Sequence, residues 1–321
     1  MEKANKFDSQ KGITMQAIVC RQYGPPEVLQ LREVEKPKPG ANEICIQIFA
    51  TAVTASDCMI RGFHVSHKYR LPMRIAIGFQ KPRKAILGMV FAGVVESAGK
   101  DVKTFKTGDA VIGFDRFGFG TYSEYKCISA SGLVVKKAEH IGYEAAAAIP
   151  YGGLLALYFL KKGNIQIGQR VLIYGASGAV GTAAVQLAKY FGAEVTGVCS
   201  SANLELVKSL GAVRVIDYTK EDFTRESTRY DLIFNAVGKN KAALKCNESL
   251  TQHGKHITVD DGTAVFHTED LAFLNDLAGK GELKPIIDRC YPLEQIVEAH
   301  RYVEKGHKRG NVIITVNNTP N

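Results

Sequence analysis

The chain has 321 residues, 45% of them hydrophobic, and a formal net charge of +9. This length and composition suit about two domains, each with a buried core, and exclude a largely disordered chain. The most apolar stretches, 171–174 and 312–316, are far shorter than the roughly 20 residues that a membrane-spanning helix needs. We therefore predict a soluble protein without a membrane partner.

The charge and the cysteines indicate which partners and which cellular compartment to expect. Dispersed surface lysines account for the positive charge, and no nucleic-acid module accompanies it, so no nucleic-acid partner is expected. The modest basic run at 61–84 is predicted to be a solvated loop that attracts an anionic cofactor. The seven cysteines are scattered without a CxxC pair, which favours reduced thiols in the cytoplasm. Residues 1–14 lack a signal-peptide pattern and are expected to form a flexible extension.

Residues 15–136 are predicted to form short β-strands broken by turns. The β-branched or alternating apolar segments are AIVC (17–20), EICIQIFATAV (43–53), GMVFAGVVESAG (88–99), DAVIGF (109–114) and TYSEYKCIS (121–129). Because glycine and proline punctuate these segments, they indicate an all-β, barrel-like unit.

From Tyr143 onward the pattern changes to α/β. A helix is predicted at 144–162, followed by five strands at 170–176, 193–200, 214–218, 231–238 and 255–261. Helices at 182–193 and 203–212 end at glycines and separate the first three strands, which specifies a parallel, doubly wound sheet. The tail then offers a helix at 269–281, strands at 283–288 and 311–316, and a helix at 293–306 between them.

The strongest local signal is the sequence GASGAVG at 175–181, between the first strand of this sheet and the next helix. A dinucleotide's pyrophosphate needs backbone N–H groups at a helix N-terminus, with small residues around them. Gly175, Ser177, Gly178 and Gly181 meet that need, although the spacing is GxxGxxG and not GxGxxG. The alternative is a glycine-rich turn that serves packing only.

The end of the second strand indicates which dinucleotide is bound. NAD sites normally place Asp or Glu there, and that carboxylate would repel the 2′-phosphate of NADP(H). This chain has Ser200, Ser201 and Asn203 instead, and we predict NADP(H). Tyr218 and Lys220 could close over the adenosine. Alternatively, the serines cap the helix that follows.

Several of these stretches resemble the medium-chain dehydrogenase/reductase superfamily, in its zinc-free quinone oxidoreductase-like branch. The matching segments are YGPPEVLQLREVEKPKPG (23–40), ILGMVFAGVVESAGKDVKTFKTGDAV (86–111), AAAAIPYGGLLALYFL (145–160), VLIYGASGAVGTAAVQLAKYFGAEVTGVCSS (171–201) and LGAVRVIDY (210–218). The resemblance implies a Rossmann doubly wound parallel sheet inserted in a GroES-like β-barrel domain. The implied limits are 15–136 for the GroES-like domain, 137–269 for the dinucleotide-binding domain and 270–321 for the return.

The resemblance also implies NADPH-dependent reduction of quinones or α,β-unsaturated carbonyls in a cleft between the domains. It assigns cofactor contacts along the chain: Ala179 and Val180 to the pyrophosphate, Ser200, Ser201 and Tyr218 to the adenosine end, Ala236, Val237 and Gly238 to the ribose near nicotinamide, and Asn311 to the far side.

We predict no metal in this cleft. Zinc-dependent relatives place His beside an acidic residue at one site and Cys at another, whereas Met89 and Val90 stand at the first site and residues 54–57 at the second. One weak candidate cluster is left, formed by Cys58, His64 and His67.

Without a metal, the negative charge that develops on the substrate oxygen must be stabilised by hydrogen-bond donors. The candidates are Thr54, Ser56 and Tyr151. Each has a structural alternative, because Thr54 and Ser56 could cap a short helix and Tyr151 could pack at the start of the long helix.

Two departures from the family pattern keep other interpretations open. Relatives often have Asn in place of Thr54, and the segment 260–268 is shorter than usual, which weakens a homodimer contact made through that segment. The alternative functions are a metal-free alcohol or aldehyde reductase and a nonenzymatic NADP(H)-binding protein.

Overall fold

A computed structural model describes residues 13–65, 69–225, 227–238 and 246–316. Within these ranges the chain forms two large sheets and a separate two-stranded sheet, surrounded by helices, so the predicted α/β class is confirmed. None of the described helices combines the length and the apolarity that crossing a membrane requires. Most of the predicted extension at 1–14 lies outside the described residues.

The first part of the chain forms antiparallel β-structure around one long strand. Its strands are β1 (Thr14–Cys20), β2 (Leu29–Glu35), β3 (Glu43–Val53), β4 (Val90–Ala98), β5 (Ala110–Phe114), β6 (Tyr125–Ser129) and β7 (Val134–Lys136), and its helices are α1 (Ala55–Gly62) and α2 (Arg70–Ile77). Strands β1 and β2 pair with each other, whereas β3 pairs with both β4 and β6. The last four residues of β3 are all buried, so the strand enters the core just before α1 begins.

The second part forms the parallel sheet. Its helices are α3 (Tyr143–Ala147), α4 (Pro150–Gly163), α5 (Ala179–Tyr190) and α6 (Leu204–Ser209), and its strands are β8 (Arg170–Tyr174), β9 (Glu194–Cys199), β10 (Arg214–Asp217), β11 (Tyr230–Asn235) and β12 (Leu250–Thr258). The strand order is β10-β9-β8-β11-β12, with every pair parallel. Because the order reverses between β8 and β11, the crevice at their carboxyl ends is the expected ligand site.

The tail returns to the first sheet. It comprises α7 (Thr268–Gly279), β13 (Ile287–Pro292), α8 (Ile296–Glu304) and β14 (Asn311–Thr315). Strand β14 pairs antiparallel with β3, and β13 lies parallel to β14. The Gly310 N–H donates to the carbonyl oxygen of Ser177 at 2.8 Å, which joins the tail to the loop after β8. The domain limits 15–136, 137–269 and 270–321 stay predictions.

Three local predictions were wrong. The helix predicted at 144–162 is two helices, because Pro150 lacks the N–H needed to continue α3 and instead starts α4. The strand predicted at 283–288 lies later, as β13. The basic run at 61–84 is not a solvated loop: it contains α2, and Arg61 is fully buried, where it donates to the carbonyl oxygen of Gly24 at 2.6 Å and pairs with Glu304.

Candidate functional site

The loop between β8 and α5 has the shape of an anion-binding turn. Gly175 has a positive φ of 78°, and a Cβ at Gly181 would overlap the carbonyl oxygen of Gly175, so both positions require glycine. Gly178 is the N-cap of α5 and provides no side chain to cap it. The first N–H groups of α5, at Ala179 and Val180, therefore have no intrahelical acceptor and could bind an anion.

A second loop, after β11, forms the wall beside this turn. The Asn235 side chain accepts hydrogen bonds from the N–H groups of Val237 and Gly238 and donates to the carbonyl oxygen of Gly238 at 2.8 Å. Any Cβ at Gly175 would overlap the Val237 side chain, so the two loops are in contact. The structure thus brings 236–238 next to 175–181. The sequence interpretation missed Asn235, although a polar residue at the end of a buried strand was a usable signal.

The tail reaches the same place from the other side. Asn311 is buried, and its side chain donates to the carbonyl oxygen of Ile286 at 3.1 Å. Asn311, Ile286, Ala179 and Thr182 line one small cavity at the start of α5. Asn311 therefore lies beside the glycine loop, with its amide nitrogen already engaged.

Three polar residues form a network at the end of β9. The Asn203 side chain donates to the hydroxyl oxygens of Ser177 and Ser200 at 3.3 and 3.1 Å. The Oδ1 atom of Asn203 is buried without a hydrogen-bond partner among the described residues. Neither Ser200 nor Asn203 makes a side-chain capping bond to the helix that follows, so the capping alternative is not what the structure shows.

Ser201 faces a carboxylate that the sequence interpretation missed. Its hydroxyl donates to Asp217 at the end of β10, and Thr219 donates to the same carboxylate at 2.6 Å. These hydrogen bonds lower the pKa of Asp217 to about 2, so the group is ionised. The Lys220 ammonium lies 3.7 Å from it. Tyr218 lies beside this group and is half exposed.

The candidate donors in the cleft are arranged in two different ways. The Thr54 hydroxyl accepts from the Asp57 N–H and the Asp57 carboxylate accepts from the Thr54 N–H, which is a capping box that starts α1. The Thr54 hydroxyl also donates to Asp57 at 2.6 Å. Thr54 is thus engaged, as its structural alternative predicted. The hydroxyls of Ser56 and Tyr151 lie 2.9 Å apart although 95 residues separate them. The structure therefore brings Ser56 and Tyr151 together.

Two phenylalanine rings lie one after the other beside Tyr151. The ring of Phe114 lies 6.4 Å from that of Tyr151 and 5.5 Å from that of Phe266, and Phe266 precedes α7. Burial raises the pKa of Tyr151, and the hydrogen bond with Ser56 opposes this only in part. At neutral pH the Tyr151 hydroxyl keeps its proton.

The side chains at the zinc positions of related enzymes do not suit a metal. Met89 and Val90 are buried and apolar, and one Asp57 oxygen already accepts from Thr54. No group of three or more His, Cys, Asp or Glu side chains in the described ranges could hold a metal ion. In the weak cluster, Cys58 contacts His300 at 3.4 Å, and His67 lies outside the described residues.

Comparisons with known proteins agree with this architecture. Residues 40–139 match the family model described as alcohol dehydrogenase GroES-like domain, and residues 179–281 and 259–314 match models described as zinc-binding dehydrogenase. A 2-methylene-furan-3-one reductase of Solanum lycopersicum is 32% identical over 94% of this chain and 79% of the relative.

Two further similarities cover nearly complete relatives. The chloroplast envelope quinone oxidoreductase homolog of Arabidopsis thaliana is 30% identical over 94% of this chain and 99% of its own length. The solved quinone oxidoreductase from Coxiella burnetii superposes with a TM-score of 0.84 at 29% identity, over 95% of this chain and all of that one. Other similar proteins carry NADPH or NAD(P)H in their names.

Proposed function

Because the chain belongs to the medium-chain dehydrogenase/reductase superfamily, in its quinone oxidoreductase-like branch, we propose that it reduces a quinone or an α,β-unsaturated carbonyl with NADPH and without a metal. The chain is an oxidoreductase that uses a nicotinamide cofactor. The observation that carries the proposal is the glycine loop at the start of α5, together with the start of α4 that packs against it. A Cβ at Gly152 would overlap the carbonyl oxygen of Ala179, and the neighbouring Tyr151 shares a hydrogen bond with Ser56.

The residues around the glycine loop suit a dinucleotide. The N–H groups of Ala179 and Val180 would hold the pyrophosphate, and the loop at 236–238 would lie against the adjoining ribose. When bound, the nicotinamide ring supplies the hydride. The Ser200 hydroxyl accepts from Asn203 and can still donate its own proton to the adenosine end, and Asn203 positions that hydroxyl.

We propose NADP(H) over NAD(H) because the end of β9 has two serines and no carboxylate. Asp217 lies one strand away, where it is hydrogen-bonded to Ser201 and Thr219 and paired with Lys220. Its charge is therefore partly compensated before a phosphate arrives.

Tyr151 is the proposed donor to the substrate oxygen. Hydride addition to a quinone, or to the β-carbon of an enone, leaves negative charge on oxygen, and a buried hydroxyl with a raised pKa stabilises that charge as a hydrogen-bond donor. Either hydroxyl of this pair can be the donor, and we propose that Ser56 donates to the Tyr151 oxygen, which leaves the Tyr151 proton for the substrate. The proton that completes the reaction comes from solvent.

The test is a substrate panel. NADPH oxidation is followed with 1,4-benzoquinone, an enone such as but-3-en-2-one, and butan-2-one, each with and without a strong chelator and against an enzyme-free blank. We expect turnover of the quinone or the enone, unaffected by the chelator, and none of the ketone. Turnover of the ketone favours an alcohol or aldehyde reductase. Tight NADPH binding without any turnover favours the nonenzymatic alternative.

Location and assembly are separate proposals. We propose the cytoplasm, because the seven cysteines are all free thiols, and organelle enrichment of the tagged full chain would contradict it.

We propose that any homodimer is not held by residues 260–268, because only a short loop there joins β12 to α7. Sedimentation of a variant with this loop replaced by glycine and serine should give the same mass as the wild type.

A further inference from the structure

Two cysteines far apart in sequence lie directly opposite each other on adjacent strands. Cys45 on β3 is the register partner of Cys127 on β6, in an antiparallel pair. The Ile48 N–H donates to the Glu124 carbonyl, and the Ala130 N–H donates to the Asn42 carbonyl. These hydrogen bonds flank the cysteine pair three residues away on each side and define the phase of the ladder.

That phase places the cysteines at a non-hydrogen-bonded position. Hydrogen-bonded and non-hydrogen-bonded pairs alternate along an antiparallel ladder, and an offset of three residues changes one kind to the other. The two Cα atoms of a non-hydrogen-bonded pair are about 4.5 Å apart, with their side chains close together. A disulfide needs Cα atoms about 4.4–6.8 Å apart, so the strands can accept one without separating.

The two thiols are chemically unequal. A hydrogen bond between them lowers the pKa of Cys127 and raises that of Cys45, and burial raises the pKa of Cys45 further. Cys127 is partly accessible to solvent, whereas Cys45 is fully buried. Cys127 is therefore the more acidic and the more accessible thiol of the pair, and Cys45 lies directly opposite it, where it can react with the oxidised Cys127.

We propose that Cys45 and Cys127 form a reversible redox site that hydrogen peroxide oxidises to a cross-strand disulfide. The Cys127 thiolate attacks one peroxide oxygen, the O–O bond breaks, and Cys127 becomes a sulfenic acid with release of hydroxide. The Cys45 sulfur then attacks the Cys127 sulfur, the S–S bond forms, the S–O bond breaks, and the Cys45 proton leaves with that oxygen as water. Two thiols and one peroxide thus give one disulfide and two waters.

This site is separate from the cleft. Thr54 follows Cys45 by nine positions along β3, which corresponds to about 30 Å of extended strand. The proposal therefore stands or falls independently of the proposed reductase activity, and oxidation is expected to leave NADPH binding unchanged.

The experiment treats the reduced full-length protein with one equivalent of hydrogen peroxide, blocks the remaining thiols with a maleimide, and maps peptides by mass spectrometry without reductant. We expect two of the seven thiols to be lost, the intact mass to fall by two hydrogen atoms, and a peptide pair joining Cys45 to Cys127. Dithiothreitol should restore both thiols. A matched variant, Cys290→Ser, removes an exposed thiol and should form the same linked peptides.

Two variants test the order of steps. Cys127→Ser should lose the two-thiol reaction, and Cys45→Ser should retain a Cys127 sulfenic acid that dimedone traps. The proposal is overturned if folded wild-type protein oxidises Cys127 to sulfinic acid without a linked peptide, or links either cysteine to a different partner. Peptide mapping of the wild-type protein alone can overturn the proposal, so the test does not depend on whether the variants fold.

Discussion

Replacing Gly178 with alanine separates cofactor binding from stability. Gly178 has φ −79° and ψ 178°, which alanine adopts without strain, and an added Cβ would meet only the Gly175 carbonyl oxygen, at 3.7 Å. The methyl group is otherwise in open space at the N-terminus of α5, where we propose that a pyrophosphate approaches the backbone N–H groups. The variant should fold normally and lose affinity for the dinucleotide.

The size of this loss follows from the hydrogen bonds at stake. Blocking one charge-assisted hydrogen bond costs about 1.5–3 kcal/mol, which raises the Kd for NADPH by about 10- to 150-fold. Gly142→Ala is the matched control, because Gly142 is also an N-cap in extended conformation, φ −67° and ψ 162°, where an added Cβ would meet only the Glu144 side chain.

Calorimetric titration with NADPH and urea unfolding measure the two effects. Both variants should unfold within about 1 kcal/mol of the wild type, since the entropy gained by replacing glycine and the weaker N-cap nearly cancel. Only Gly178→Ala should bind NADPH weakly. Unchanged NADPH affinity in folded Gly178→Ala would refute the assignment of this loop to the pyrophosphate.

Three further predictions follow from the cleft and its surroundings. Tyr151→Phe should lower kcat about 10- to 100-fold while the Kd for NADPH stays constant, because the ring remains and only the donor is lost; steady-state kinetics with calorimetry check this, and an equal kcat would contradict it. Asn203→Asp should weaken NADPH binding more than NADH binding and change the ratio of the two Kd values about tenfold, because the new carboxylate repels the 2′-phosphate. Its two serine partners can reverse their hydrogen bonds and donate to that carboxylate. Titrations with NADPH and NADH measure the ratio, and an unchanged ratio would contradict the prediction. Burial lowers the pKa of His300 to about 3 from 6.5, so the unfolded chain binds more protons between those values and the free energy of unfolding falls as pH drops below about 6.5. Burial raises the pKa of Asp57 to about 6 from 3.8, so the folded chain binds more protons than the unfolded chain between those values, and below pH 6 this offsets the loss of stability caused by His300. In urea unfolding from pH 7 to 5, the free energy of unfolding should therefore fall more steeply with decreasing pH for Asp57→Asn than for the wild type. Parallel curves would contradict this prediction.

Parts of the fold that depend on local sequence patterns could be predicted. The run at 171–173 is apolar throughout because both faces of β8 are covered, and it identified a buried parallel strand. The glycines at 175–181 predicted the turn that follows, because the close backbone contacts that require glycine are made within this short segment. Pro150 was also a local signal, and its position at the start of α4 could have been predicted from its missing N–H.

The contacts that define the site could not be predicted in the same way. Ser56 and Tyr151 meet because β3 delivers α1 to the start of α4, and no spacing in the sequence encodes that meeting. Asp217 binds Ser201 because β10 lies next to β9, which depends on strand order. Strand β13 begins later than predicted, because its pairing with β14, and not its hydrophobicity, sets its register.

The capping box at Thr54 changes the meaning of the departure from the family pattern. A residue that differs from the usual Asn suggests a damaged hydrogen bond to cofactor or substrate. Here Thr54 and Asp57 bond each other reciprocally and fix the first turn of α1. Ser56 lies within that turn, so the same box holds its hydroxyl 2.9 Å from that of Tyr151. Thr54 therefore has a structural role at the start of α1, and turnover measured with NADPH, not the identity of this residue, decides between the reductase and the nonenzymatic alternative.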